Sequence, residues 1–360
     1  MNERVRASEY MRWAKANHAS SRFNLAVSGM PRLLFSDLGA SLEELRIEEQ
    51  DGRGYAPLLS ALGAKHGVGA DWVVTAEGTS LANHLVLAAL LDPGDEVLIE
   101  QPGYSPIVDA ARYLGAEVRR FPRRREDGFA ADPAAVARAM TARTRLVVLT
   151  NLHNPSGVLI PEATLQAIGE IARSAHAHVL VDEAYLDAVF DDPQPSAIHR
   201  GETFVVTSSL TKIYGLSGLR CGYILAPPEL ARKLWLLKDL FGVNAVHVAE
   251  RLSVIALGKL PELAARARAL LGTNRPVLNR FLQRSPWLES IPSLEGTVAF
   301  PRLRRGSVDG LTDLLRSKYE TSVVPGRFFD ADEHFRVGIS CPTAILEEGL
   351  ARLEAAVGEI

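Results

Sequence analysis

The chain has 360 residues, with 40 Lys plus Arg against 43 Asp plus Glu and a formal charge of −3. At about 150 residues per domain, that length predicts two to three units and a core that needs no disulfides or structural metal. The balanced charge excludes the basic excess of a nucleic-acid binder, and 47% hydrophobic with 23% charged residues excludes wholesale disorder.

Cys221 and Cys341 are too few for a disulfide framework or a cysteine zinc site, so no metal is expected. The first eighteen residues, MNERVRASEYMRWAKANH, are polar and carry no signal-peptide core. No segment approaches the roughly 18 uninterrupted apolar residues of a membrane span; Leu81–Leu91 is interrupted by Asn83 and His84. A cytoplasmic enzyme with neither membrane nor nucleic-acid partners is expected.

Strand-like segments then follow in order: Trp72–Thr75, Val97–Glu100, Ala116–Phe121, Leu146–Asn151, His178–Val181, Phe204–Thr207 and Gly222–Leu225. Helical patterns lie between most of them, at Thr79–Leu91, Pro106–Leu114, Pro133–Thr141 and Pro161–Ala175. In the first, Leu81, Leu85, Ala88 and Ala89 form a stripe with helical spacing. Pro133 and Pro161 suit a first helical turn, where a missing N–H costs nothing. The alternation predicts an α/β fold: a three-layer α/β/α domain around a mainly parallel sheet of seven strands.

From about Leu230 the pattern changes to long helices, Glu229–Phe241, Val246–Leu257 and Glu262–Arg284. Short apolar runs follow near Thr297–Pro301, Thr321–Val324 and His334–Ser340, and a last helix spans Leu346–Val357. The expected division is an N-terminal arm (1–39) that joins a small α+β domain, a large domain (40–257) and the small C-terminal domain (258–360). Arg119, Arg120, Arg123, Arg124 and Arg125 read as a solvated strand end and turn.

Open α/β sheets bind ligands beyond the carboxyl ends of their strands, so the polar residues there are the candidates. Gly78-Thr79-Ser80 after the first strand offers free N–H groups at a helix start, although it also fits a plain turn and cap. His153-Asn154-Pro155-Ser156-Gly157 follows the fourth strand and Asp182-Glu183-Ala184-Tyr185 the fifth. Ser209, Thr211 and Lys212 follow the sixth, and Arg220 leads into the next. No G-x-G-x-x-G follows the first strand, which weighs against a dinucleotide-binding dehydrogenase.

Together these residues resemble the fold-type I pyridoxal-phosphate enzymes, and within them the class I/II aminotransferases. The motifs occur in order, 28 residues from Asn154 to Asp182, 30 more to Lys212 and 8 more to Arg220. Pro102-Gly103-Tyr104, Pro325-Gly326 and Phe335-Arg336 extend the match over residues 24 to 345. The resemblance implies an aspartate-aminotransferase-like fold and pyridoxal 5′-phosphate bound to Lys212 as a Schiff base. It implies Asp182 on the pyridine nitrogen, Asn154 and Tyr185 on the ring oxygen, and Tyr104 stacked on the ring. Gly78, Thr79, Ser209, Thr211 and Arg220 would form the phosphate cup, completed by Tyr55 of a neighbouring subunit in a homodimer. Arg336, Asn154 and Gly29 would bind substrate.

The implied activity is transfer of an amino group between an amino acid and a 2-oxo acid. The alternative is another reaction on the same scaffold: elimination, decarboxylation or cyclisation. A non-catalytic role is disfavoured, because binding alone needs no Schiff-base lysine. Ser156 replaces the usual Thr, Glu77 puts a carboxylate beside the cup, and Ser340-Cys341 departs from the usual pair after Arg336. His153 is expected to pack rather than to touch substrate, and His84, His247 and His334 have no metal-ligand spacing. The stretch Leu240–His247 has no Arg where aspartate-type members place a second carboxylate ligand across the dimer. Asp and Glu are therefore not the expected substrates, and a neutral side chain near Phe241 and Val27 is.

Overall fold

The computed structural model describes residues 7–17, 21–41, 43, 45, 53–292 and 294–360. Parts of the expected arm, 1–6 and 18–20, therefore lie outside the described residues. After a two-residue strand β1 (Phe23–Asn24) come the strands of the large sheet: β2 (Val73–Glu77), β3 (Glu96–Gln101), β4 (Glu117–Pro122), β5 (Thr144–Thr150), β6 (His178–Asp182), β7 (Phe204–Ser209) and β8 (Cys221–Leu225). Their spatial order is β2-β8-β7-β6-β5-β3-β4. The β3–β4, β3–β5, β5–β6 and β6–β7 pairs are parallel, whereas β8 runs antiparallel to both neighbours. Hydrophobic pattern carries no strand direction, so the reversal is invisible in the sequence.

Side-chain alternation buries both faces of the sheet. Val147, Leu149, Val179 and Val181 join one core, which includes Leu165 and Ile168 of the helix Glu162–Ser174. Leu146, Val148 and Leu180 join the other, which includes Leu85 and Val86 of the helix Thr79–Leu90. Against expectation, only Leu85 of the stripe in Thr79–Leu90 is fully buried, and Ala82, Asn83, Val86 and Leu87 are the others covered. Pro161 is a cap one residue before its helix rather than within the first turn, while Pro133 opens its own helix behind the Asp132 cap.

The helices Leu260–Arg284, Val308–Ser317 and Thr343–Glu359 surround a further core with the short strand Phe335–Gly338. That core also takes in Leu25 and Met30 of the arm and Tyr185 and Ile213 from loops of the large sheet. β1 pairs in parallel with Thr321–Ser322, and Leu25 O accepts from Gly338 N at 2.7 Å. The arm thus runs from the C-terminal elements to the ends of the large-sheet strands.

The arginine cluster is not uniformly solvated. Arg123 is fully buried, donating to Glu100 at 2.8 Å and to the Phe129 carbonyl. Glu100 in turn accepts from Thr150 N and Oγ1 beneath the loop that carries Asn154. An unpaired charge there would carry a large desolvation cost, so the pair is buried together.

Candidate active site

Because β2, β5, β6 and β7 run the same way, the loops leaving their carboxyl ends meet at one edge of the sheet. The reversed β8 starts at that edge and delivers Arg220 to it. Gly78 and Gly222 permit the close approach: a Cβ on Gly222 would lie 2.6 Å from the Gly78 Cα. Gly78 also has φ +88°, a region only glycine enters freely.

A pocket of about 220 Å³ opens there, lined by Thr79, Tyr104, Asn154, Asp182, Tyr185, Ser209, Thr211, Lys212, Arg220 and Arg336. Its wall also includes Ser80 of the Gly78-Thr79-Ser80 turn, together with Tyr10, Met11, Ser28 and Asn83, to which the sequence assigned no site role. Gly29 sits beside Lys212, and the neighbouring Met30 N donates to the Lys212 carbonyl at 2.7 Å. Tyr55 does not line this pocket; its hydroxyl accepts from Arg251 and its ring meets His247 edge-on. Phe241 and Val27 are also absent from the wall, and Phe241 is half-exposed against His84.

Asp182 ends β6 and is buried. Burial pushes its carboxyl pKa up, opposed by hydrogen bonds from Asn83 and Ala184 N and by the Lys212 charge. Asn83 Nδ2 donates to Asp182 Oδ2 at 2.8 Å, and Asn83 Oδ1 accepts from Thr207 Oγ1 at 2.5 Å. The relay fixes the amide orientation and leaves the carboxylate facing the pocket. One signal could have revealed Asn83: a polar side chain one helical turn after Thr79 in an otherwise apolar helix.

Lys212 Nζ lies 5.8 Å from the centre of the Tyr185 ring, whose hydroxyl bonds Ser28 Oγ at 2.7 Å. Arg336 is buried and donates Nη1 to Asn154 Oδ1 at 2.8 Å. His153 packs as expected, bonded to Ser156 Oγ at 2.6 Å and the Pro102 carbonyl at 2.9 Å. Burial, with help from the Arg123 charge, holds its imidazole neutral. The Glu77 backbone carbonyl accepts from Arg220, and Glu77, Arg220 and Lys238 also line a second cavity of about 130 Å³.

The pocket suits a phosphorylated pyridine. Thr79 Oγ1 and Thr211 Oγ1 are buried hydroxyls without a partner, beside Arg220 and the start of the helix Thr79–Leu90. Buried hydroxyls left unpaired cost free energy, and phosphate oxygens supply the missing acceptors.

The chain belongs to the aminotransferase class I and II family, whose model matches residues 43–353. It is a pyridoxal-5′-phosphate-dependent aminotransferase by that membership. Capreomycidine synthase of Streptomyces vinaceus is 31% identical to it, covering 96% of this chain and 92% of its own length. The arginine–pyruvate transaminase of Pseudomonas aeruginosa is 28% identical, over 86% and 82% of the two chains. A crystal structure of a PLP-dependent aminotransferase from Streptococcus suis superposes with a TM-score of 0.92 at 23% identity, covering 100% of this chain and 99% of that one. That likeness extends the fold over the whole chain. Among the described residues no helix is long and apolar enough to cross a membrane.

Proposed function

We propose that Lys212 bonds the cofactor as a Schiff base and that the surrounding side chains run transamination between an amino acid and a 2-oxo acid. The convergence of Lys212, Asp182, Asn154, Tyr185, Arg220 and Arg336 on one pocket carries this reading. Bound there, the cofactor supplies an electron sink for the negative charge that develops on the substrate Cα. Asp182 would hold the ring nitrogen protonated. Asn154 and Tyr185 would hold the ring oxygen, and Tyr104 would hold the ring. Gly78, Thr79, Ser209, Thr211 and Arg220 take the phosphate, Arg220 with a fixed charge and paired donors. The Lys212 amine, freed by the incoming amino group, removes the proton from the substrate Cα and returns it. Arg336 forks onto the substrate α-carboxylate, with Asn154 and the Gly29 backbone beside it.

The charged residues of the pocket wall, Asp182, Lys212, Arg220 and Arg336, are all used by these roles. None is left to pair with a charged substrate side chain, which favours a neutral one. A homodimer in the cytoplasm, with Tyr55 completing its neighbour's cup, belongs to the same reading, as does the division into an arm (1–39), a large domain (40–257) and a small domain (258–360). Sedimentation that finds an active monomer would remove the dimer from it. A second reading, ring closure of an amino acid on this scaffold, draws on the similarity to a capreomycidine synthase.

One experiment separates the readings. The loaded enzyme is titrated with a panel of amino acids and no oxo acid, following the cofactor absorbance. Transamination predicts stoichiometric bleaching, with an oxo acid released; cyclisation predicts a cyclic product with the spectrum regained. Borohydride reduction and peptide mapping should find the cofactor on Lys212, and an adduct on another lysine refutes the assignment.

A further inference from the structure

The helix Glu9–Asn17 contributes Tyr10 and Met11 to the wall of the pocket. Tyr10 is held from both sides. Its ring meets Tyr104 edge-on at 5.4 Å, Phe328 at 5.5 Å and Phe329 at 6.1 Å between centroids. Its hydroxyl lies 3.2 Å from Arg336 Nη2. A guanidinium has donors only, so in this contact Arg336 donates and the tyrosine oxygen accepts. The phenolic proton is thereby left over, and no hydrogen bond from it is found among the described residues. Arg336 also keeps donor capacity in reserve: its Nε is buried without a partner. An unspent donor on each of two adjacent groups makes a site for an anion.

We infer that Tyr10 is a further substrate-binding residue, whose hydroxyl donates to the α-carboxylate that Arg336 holds. The inference rests on the proposed role of Arg336 and adds a ligand from a different part of the chain. A carboxylate has about four lone-pair positions. Arg336 fills two, and the adjacent Tyr10 O–H fills a third. Binding of the carboxylate then fastens the N-terminal helix over the reacting groups. The same donor gives no purchase on a ligand whose carboxylate is replaced by a neutral alcohol.

The test uses Tyr10→Phe, which keeps the ring and its aromatic contacts while removing the hydroxyl. Binding of L-leucine and of L-leucinol to the cofactor-loaded enzyme is followed by cofactor absorbance, which reports binding whether or not turnover follows. Loss of one hydrogen bond to a charged group predicts about tenfold weaker binding of the amino acid. Binding of the amino alcohol should change less than twofold, and the limiting rate of the half-reaction should stay within twofold. Equal weakening of both ligands would reduce Tyr10 to a packing residue, and no weakening of either would overturn the inference outright. If wild-type Lys212 carries no cofactor, the proposed function itself has failed, an outcome distinct from either of these.

Discussion

The floor of the pocket and its roof are built by different means. The floor consists of strand ends: Asp182 closes β6, Ser209 closes β7, and Asn154 follows β5 within a few residues. The roof is assembled from remote pieces, with Tyr10 bonded to Arg336 across 326 residues and Ser28 to Tyr185 across 157. A parallel sheet converts chain order into spatial convergence, so polar residues after successive apolar strands meet without any long-range information. A roof made of tertiary contacts has no such local trace.

Three substitutions sharpen this contrast, in falling order of effect. On the floor, Asp182→Asn removes the anion proposed for the ring nitrogen at nearly constant volume. The limiting rate should fall about a hundredfold or more, while the protein stays folded. A near-normal rate would mean that a different group protonates the ring, and the strand-end account of the floor would break.

Asn83 lies beneath the floor. Asn83→Ala strands the buried Thr207 hydroxyl and removes a donor from Asp182. Rate measurements should show a loss of about tenfold, the size of one buried hydrogen bond in the transition state. An unchanged rate with unchanged cofactor affinity would leave Asn83 as packing alone.

The smallest effect is expected in the roof. With Tyr185 donating toward the ring oxygen, Ser28 must donate into the Tyr185 oxygen, and such chains strengthen each member. Ser28→Ala weakens the donor that favours the unprotonated form of the cofactor linkage. Spectrophotometric titration should move its apparent pKa upward, by about half a unit. A downward shift would reverse the donor assignment.

Much of the molecule was legible because its signals are local. The seven strands fall within two residues of their expected ends, since turns bound each of them and all but the edge strand β4 are largely buried apolar runs. Of the motif residues, Thr79, Asn154, Asp182, Tyr185, Ser209, Thr211, Lys212 and Arg220 line one pocket together with Arg336. The failures share a cause. Arg123 looked solvated because its partner Glu100 stands on another strand, 23 residues away. Asn83 looked like an interruption in an apolar stretch because Asp182 is 99 residues distant. Tyr10 sat in a polar terminus with no periodicity to mark it. Each was misread because the residue that gives it meaning is not its neighbour in sequence.

The pairing of β1 with Thr321–Ser322 has a consequence for biosynthesis. Every strand of the large sheet has been made by Leu225, so the cofactor-binding floor can form while over a third of the chain is still to come. Residues 23–24 are made before that sheet, but their strand partner Thr321–Ser322 comes only after it, and Arg336 follows later still. A ribosome-bound or truncated chain would present Lys212, the proposed Schiff-base lysine, without Arg336, the proposed carboxylate ligand. Synthesis of Thr321–Ser322 closes that interval: a strand made after the large sheet holds one made before it.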